Sequence, residues 1–514
     1  MNHEGGNAVS HQSGNDQETA APSRPRVAQA SKHPSDHVLV LLGAYGDLAR
    51  RKLLPGLFHL SAAGLMPRQY RIIGSAPPSA ALTDEQFRQR AKDAVTEFGT
   101  VKPAGEAWGA FERSLSFAAA EPGDTGRLAG AVQRAEREIG GAPGRLFHLA
   151  IPPSAFGSTV TMIGKAGLAD SGRVIIEKPF GHDLASAQEL DKTVHAVFDE
   201  SRVFRIDHFL GKESVENILA LRFANGFMEP MWNRQYLAYV QIDVPETLGV
   251  EGRGSFYDQT GAYRDMIVTH LFQVLGFVAM DAPTAFDAKR LRDEKQRVFE
   301  ALRPVDVRHA VRGQYEGYRD EPGVARQSGT ETLAAVRAEI DNWRWAGVPF
   351  LLRSGKKLGE NRQTITLGFR RPPMQMFPAR ARDIPAGLRD EMIIDFADPG
   401  SITAEFLAKV PGVEMTLGNA SMVFRYDDSF QAANDLEGYE RLILEAMLGD
   451  QIMFTRSDGI ERLWEISAPL LEDPPPVEPY APGSWGPEAS VARLAAPFRW
   501  HLPQRRASRG TGAT

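Results

Sequence analysis

An apolar run from Val38 to Leu42 breaks directly into GAYGDLARRKLLPGLFHLSAAGLMP, and no other stretch constrains the fold so tightly. A short buried strand, a turn that needs glycine, and a helix must follow one another there. A second apolar run, Tyr70 to Ile73, comes at once. The pattern continues with a helical stretch over Thr83 to Phe98, a longer polar region with a helix near Arg127 to Glu138, the strand RLFHLAIPP, a further helix, and the strand RVIIEKPFG at Arg173 to Gly181. Strands alternating with helices predict a parallel, doubly wound sheet. The expectation is therefore a Rossmann-like α/β domain over residues 37–206.

From residue 207 the pattern changes. Helical stretches are predicted at Lys212 to Phe223, Gly261 to Met280 and Asp293 to Leu302. Period-two segments lie between and after them: YLAYVQIDV from Tyr236, QTITLGF from Gln363, MIIDF from Met392 and ITAEFLAKV from Ile402. Segregated helices and alternating strands predict a larger α+β domain with a mainly antiparallel sheet over 207–503. Residues 1–36, rich in Gly, Ser, Asn and Gln, read as a disordered extension, and 504–514 as a flexible tail. At 514 residues with 42% hydrophobic content the chain is long enough for two cores.

Composition excludes several kinds of chemistry. With no cysteine, disulfides, thiolate metal sites and cysteine nucleophiles are absent. A net charge of -6 gives no overall attraction to nucleic acid or to an anionic membrane, so an anionic small molecule would be met by a few placed cations. No apolar run reaches the roughly 18 residues a membrane span needs, and the first 36 residues lack a signal peptide's apolar centre. A cytoplasmic enzyme is expected.

In the turn, Gly43 and Gly46 let the backbone approach a phosphate, and the helix that follows points its free N–H groups at it. Taken alone, Gly-x-x-Gly after a strand reads equally well as an ordinary turn. Elsewhere the charged positions admit plain structural roles. His270 lies with Met266 and Gln273 on one stripe of an apolar helix, where a buried, hydrogen-bonded histidine is unremarked. Asp207 suits a cap, and Asp265 an ion pair with Arg264.

The strings GAYGDLARRKL, LAIPPSAF, VIIEKPFGHDLASA, RIDHFLGKE, YDQTGAYRDMIVTHLFQ, DNWRWAGVPFLLRSGKKL and YAPGSWGP change the balance. Their content and order resemble the glucose-6-phosphate dehydrogenase family across residues 36–503. The resemblance implies oxidation of glucose 6-phosphate to its lactone, without metal, by hydride transfer to NADP or NAD, commonly in a homodimer or homotetramer. It assigns His270 as general base and Asp207 as its hydrogen-bonding partner. It makes His208 and Lys212 ligands of the sugar phosphate, and Lys178, Glu246, Asp265 and Lys356 contacts of the sugar, with Lys178 also beside the nicotinamide. The turn residues Gly43 to Leu48 become cofactor contacts. An imidazole titrating near ~6.5 is well suited to take a proton at neutral pH.

Four positions depart from the family's pattern. Tyr45 stands where a small Ser or Thr is usual. Phe209 replaces a Tyr, and Thr269 an Asn before the base. Pro77 occupies the place of the Arg that grips the 2′-phosphate of NADP, with no acid there to mark NAD. Arg50, Arg51 and Ser75 remain as candidate phosphate contacts, so use of both cofactors is expected. Two alternatives stay open: a dehydrogenase of another aldose or sugar phosphate, and a non-catalytic dinucleotide- or sugar-phosphate-binding paralogue.

Overall fold

The computed structural model describes residues 33–502, except 122, 124, 375, 378–389, 398 and 431–435. Most of the extension expected at 1–36 and the whole tail at 504–514 lie outside the described residues. The first apolar run forms β1 (His37–Leu42), buried along its full length. Parallel to it run β2 (Tyr70–Ser75), β3 (Leu115–Phe117), β4 (Gly144–Leu149), β5 (Gly172–Ile176) and β6 (Val203–Arg205), in the order β3-β2-β1-β4-β5-β6. This is the doubly wound order, which leaves the ends of the strands free to bind ligands. Helices on both faces explain why HVLVLL is continuously apolar rather than alternating.

Two strands of this sheet, β3 and β6, are three residues long and leave no pattern to read. The strand expected through Gly181 stops at Ile176. Lys178 and Pro179 follow it, and a proline cannot donate to the ladder. The helix Asp84–Phe98 starts as expected. Thr83 accepts from the backbone N–H of Gln86, and the Gln86 side chain accepts from that of Thr83.

The second sheet holds nine strands among the described residues. They are β7 (Leu237–Pro245), β8 (Ala310–Tyr315), β9 (Leu333–Ala338), β10 (Phe350–Gly355), β11 (Thr364–Phe369), β12 (Glu391–Asp395), β13 (Ser401–Lys409), β14 (Leu417–Arg425) and β15 (Val477–Tyr480). Their order is β14-β13-β12-β11-β7-β10-β9-β8-β15, with only β7–β10 and β8–β15 parallel. The architecture is thus the α/β plus mainly antiparallel α+β combination expected. β9 and β10, buried on both faces, carry no alternation to reveal them.

The helix predicted from Gly261 to Met280 is the element that differs most. Gly261 breaks it, with φ +73° and no room for a side chain: a Cβ there would lie 2.4 Å from Glu331 Oε1. Beyond the break Tyr263–Leu271 winds as a π-helix before α geometry resumes over Phe272–Ala279. Five-residue hydrogen-bond spacing is rare, and it frequently marks functional sites. Here it places Asp265 and His270, five apart, on one side. Met266, His270 and Gln273 are all buried.

Candidate active site

Parallel neighbours deliver their following residues to the same place. The C-terminal ends of β5 and β6 are paired, Ile176 opposite Arg205, which brings Lys178 near Asp207. In the second sheet Pro245 pairs with Gly355, and the next residues, Glu246 and Lys356, form an ion pair. The π-helix crosses between the two sheets carrying Asp265 and His270. Between them opens a cleft of about 570 Å³, lined by Lys178, His208, Glu246, Asp265, His270 and Lys356 among others.

His270 is fully buried, and its two nitrogens meet opposite partners. Nδ1 lies 2.6 Å from Asp207 Oδ1, and Nε2 lies 2.6 Å from Lys178 Nζ. A carboxylate can only accept and an ammonium can only donate. We therefore assign the proton to Nδ1 and the lone pair to Nε2. Asp207 Oδ1 also accepts from the backbone N–H of Phe209 at 2.9 Å, so the turn role and the pairing with His270 hold together. Burial by itself would raise the Asp207 carboxyl, but its interactions with His270 and the Phe209 N–H outweigh burial and hold it below the usual range.

Lys178 donates to Asp265 Oδ1 at 2.9 Å as well. Burial pushes the Asp265 carboxyl up, whereas Lys178 and His270 hold it down at about 2. Asp265 does not pair with Arg264, whose Nε goes instead to the backbone oxygen of His182. Burial, with His270 and Lys178 adding repulsion, lowers His208 to about 3, so its imidazole is neutral at physiological pH. The Phe209 ring stacks on His270, centroids 4.5 Å apart and planes inclined by 27°. The Thr269 hydroxyl is spent on the Asp265 carbonyl.

Lys212 is not brought into the cleft lining. The helix predicted from Lys212 begins one residue later, at Glu213. The Lys212 Nζ donates to Gln363 Oε1 at 2.5 Å and approaches the Phe396 carbonyl at 3.4 Å. Asp207, His208 and His270 offer metal-ligand atoms within 4.8 Å of one another, but two of those residues are already engaged with each other.

The glycine turn that follows β1 is closed tightly. The N–H groups of Gly43 and Ala44 donate to the Ser75 carbonyl, and that of Gly46 to Gly43. Gly43 has φ +87°, and a Cβ there would stand 2.1 Å from the Ala150 carbonyl oxygen. Those three N–H groups are thus used within the fold. Ser75 is wholly buried. Arg50 pairs with Glu97 and lies over Phe98, and Arg51 pairs with Asp47 over the same ring.

Some cleft residues escaped sequence reasoning. Tyr257 is buried with its hydroxyl unpartnered among the described residues, and Lys356 lies over its ring. Lys52, in the first helix, also lines the cleft and pairs with Glu437. Both stand inside the strings quoted above, but nothing in their spacing singles them out.

Residues 40–217 match the family model described as the glucose-6-phosphate dehydrogenase NAD-binding domain, and 219–501 that of the C-terminal domain. The chain belongs to the glucose-6-phosphate dehydrogenase family. It is accordingly an oxidoreductase with a nicotinamide-dinucleotide-binding domain, and NADP is the standard cofactor of the family. Glucose-6-phosphate 1-dehydrogenase 2 of Mycobacterium tuberculosis is 40% identical over 490 residues, 90% of this chain and 94% of the relative. A crystal structure of the Mycobacterium avium glucose-6-phosphate 1-dehydrogenase superposes with a TM-score of 0.82 at 37% identity, covering 92% of this chain and 99% of that one. A glucose-6-phosphate dehydrogenase in complex with glucose 6-phosphate gives 0.84 at 34%, covering 93% and 100%. No described helix is long and apolar enough to cross a membrane.

Proposed function

We propose that His270 is the general base in the oxidation of glucose 6-phosphate at its anomeric carbon. The observation that carries this is the pairing of a donor-only and an acceptor-only partner across the imidazole, which leaves Nε2 unprotonated and facing the cleft. Nε2 takes the proton of the C1 hydroxyl as the C1–H bond breaks with its electron pair, so a carbonyl forms at C1 and the lactone results. The dinucleotide, when bound, supplies the hydride acceptor. Asp207 stabilises the imidazolium that forms. Lys178, held between Asp265 and His270, orients the reacting hydroxyl, and Glu246, Asp265 and Lys356 hold the remaining sugar hydroxyls.

The phosphate end falls to His208, a neutral, directed N–H donor, and to Lys212. Lys212 gives up the neutral oxygen of Gln363 for a charged one, a stronger acceptor. Gly43 to Leu48 form the cofactor turn. In the same reading residues 37–206 serve the cofactor and 207–503 the substrate, because the first sheet ends at Arg205. A homodimer or homotetramer fits the apolar side chains left exposed on β13, β14 and their turn, including Leu407, Val413, Met415 and Met422. A cytoplasmic site of action fits a substrate whose charge keeps it from crossing a membrane.

Substituting His270→Asn tests the assignment. The variant keeps the fold, by circular dichroism, and much of its affinity for the sugar phosphate. Its kcat falls by about two to four orders of magnitude, the usual worth of a positioned base. Turnover at the parent rate would show that His270 is only a buried histidine.

A further inference from the structure

The place that an arginine normally fills beyond β2 holds Pro77, which opens the short turn Pro78–Ala80. Yet a guanidinium does reach this edge of the cofactor turn, from the helix Asp84–Phe98. Arg90 lies over the ring of Tyr45, 4.2 Å from its centroid, and its Nη2 donates to the Tyr45 carbonyl at 2.5 Å. Leu42 and Ser75 are register partners in β1 and β2, so the turn after β1 and the end of β2 stand side by side. In doubly wound folds that juncture receives the adenosine ribose and whatever its 2′ position carries.

Arg90 differs from the other arginines nearby in what it touches. Arg50 and Arg51 are paired with Glu97 and Asp47, and Arg88 donates to the Leu115 carbonyl. Arg90 forms no ion pair among the described residues, and its Nε is buried without a hydrogen-bond partner. A guanidinium fixed by an aromatic face and one carbonyl, with donors to spare, is a ready partner for a phosphate dianion. Arg50 and Arg51 assist by neutralising the two acids that would otherwise repel it. Tyr45, out of pattern for the family, is then the platform that positions Arg90.

We propose that Arg90, stacked on Tyr45, binds the 2′-phosphate and makes this enzyme prefer NADP to NAD. This rests on the reading of Gly43 to Leu48 as the cofactor turn. It replaces the expectation, drawn from Pro77 alone, that discrimination is weak.

Calorimetric titration of the full chain with 2′,5′-ADP and with 5′-AMP reads the 2′-phosphate contact independently of turnover. The parent should bind 2′,5′-ADP at least about tenfold more tightly, as one charge-assisted contact implies. Arg90→Gln should bring the two within about threefold. Its kcat/KM with NADP should fall about ten- to a hundredfold while that with NAD moves less than about threefold. Arg90→Lys, which keeps the charge and loses the fork, should fall between. The proposal is overturned if folded Arg90→Gln retains the parent's discrimination, or if Arg50→Gln removes it, while both cofactors still support turnover of glucose 6-phosphate. A folded parent that binds neither nucleotide would overturn the cofactor turn itself.

Discussion

Replacing Asp207 with Asn separates the charge of the dyad from its geometry. Asp207 Oδ1 must accept two donors at once, the His270 Nδ1–H and the Phe209 N–H, whereas Oδ2 is buried with no partner among the described residues. An asparagine therefore settles with its oxygen at the Oδ1 position, since the reverse orientation would set its amine against both donors. The tautomer of His270 is preserved, and what disappears is the negative charge. With carboxylate and imidazolium centres about 4 Å apart at an effective dielectric constant of about 20, that charge is worth about 4 kcal/mol to the fully formed cation. If half the proton has moved in the transition state, the loss is about 2 kcal/mol. The expected fall in kcat is thus about thirty- to a thousandfold, at about 1.4 kcal/mol per decade. Initial rates followed by absorbance of the reduced nicotinamide, at saturating sugar phosphate and cofactor, give kcat directly, and KM for the sugar phosphate should stay within about threefold. A kcat within about twofold of the parent would falsify the electrostatic role. A raised KM with unchanged kcat would move Asp207 to the binding of substrate.

Lys212→Ala should act on KM. It removes one charge-assisted contact, about 1.5 to 3 kcal/mol, from ground and transition states alike, so KM for glucose 6-phosphate rises about ten- to a hundredfold with little change in kcat. Equal kcat/KM of the parent for glucose and glucose 6-phosphate would refute the phosphate site. Lys295→Met should alter stability as a function of pH. Burial, only partly opposed by Asp207, lowers the Lys295 ammonium to about 7, and its Nζ meets the Gln273 side chain at 2.9 Å and the Phe277 ring at 4.2 Å from its centroid. Its folded value lies below the ordinary 10.5, so between about 7 and 10.5 the unfolded chain binds more protons and the stability contributed at this site rises with pH. The variant's advantage in stability should accordingly shrink by about 1.4 kcal/mol per pH unit across that window. Parallel melting-temperature profiles for parent and variant would contradict a neutralised lysine.

The first sheet was legible because each long strand is an apolar run ended by turn chemistry, and covering helices make that run continuous. The site residues were legible as strings in order, but their geometry was not. YRDMIVTHLFQ reads with an α-helical period, and nothing within it signals the change of winding that sets Asp265 and His270 against the same lysine, Lys178. That change follows a break at Gly261, where Glu331, distant in sequence, leaves no space for a Cβ. His208 and Lys212 were joined as phosphate ligands by the resemblance, yet His208 lines the cleft and Lys212 turns to Gln363. In each case a contact with a residue distant in sequence, Glu331 or Gln363, bears on where the side chains lie.

Charge shows the same limit more sharply. In the sequence Arg50, Arg51 and Arg90 are three arginines in helical segments, and proximity to the glycine turn favoured the first two. Their functional difference lies wholly in their partners: Glu97 for Arg50, Asp47 for Arg51, and an aromatic face and a carbonyl for Arg90. A cation already matched to a carboxylate gains little from a second anion and must lose the first to bind it, while one held by a ring and a neutral oxygen gains the whole charge-assisted bond. Lys295, in the strongly charged segment RLRDEKQRVF, is the converse case, a lysine that reads as solvated and is buried. For anion recognition, then, the informative property of a basic residue is the ion pair it lacks, and that is settled by the fold.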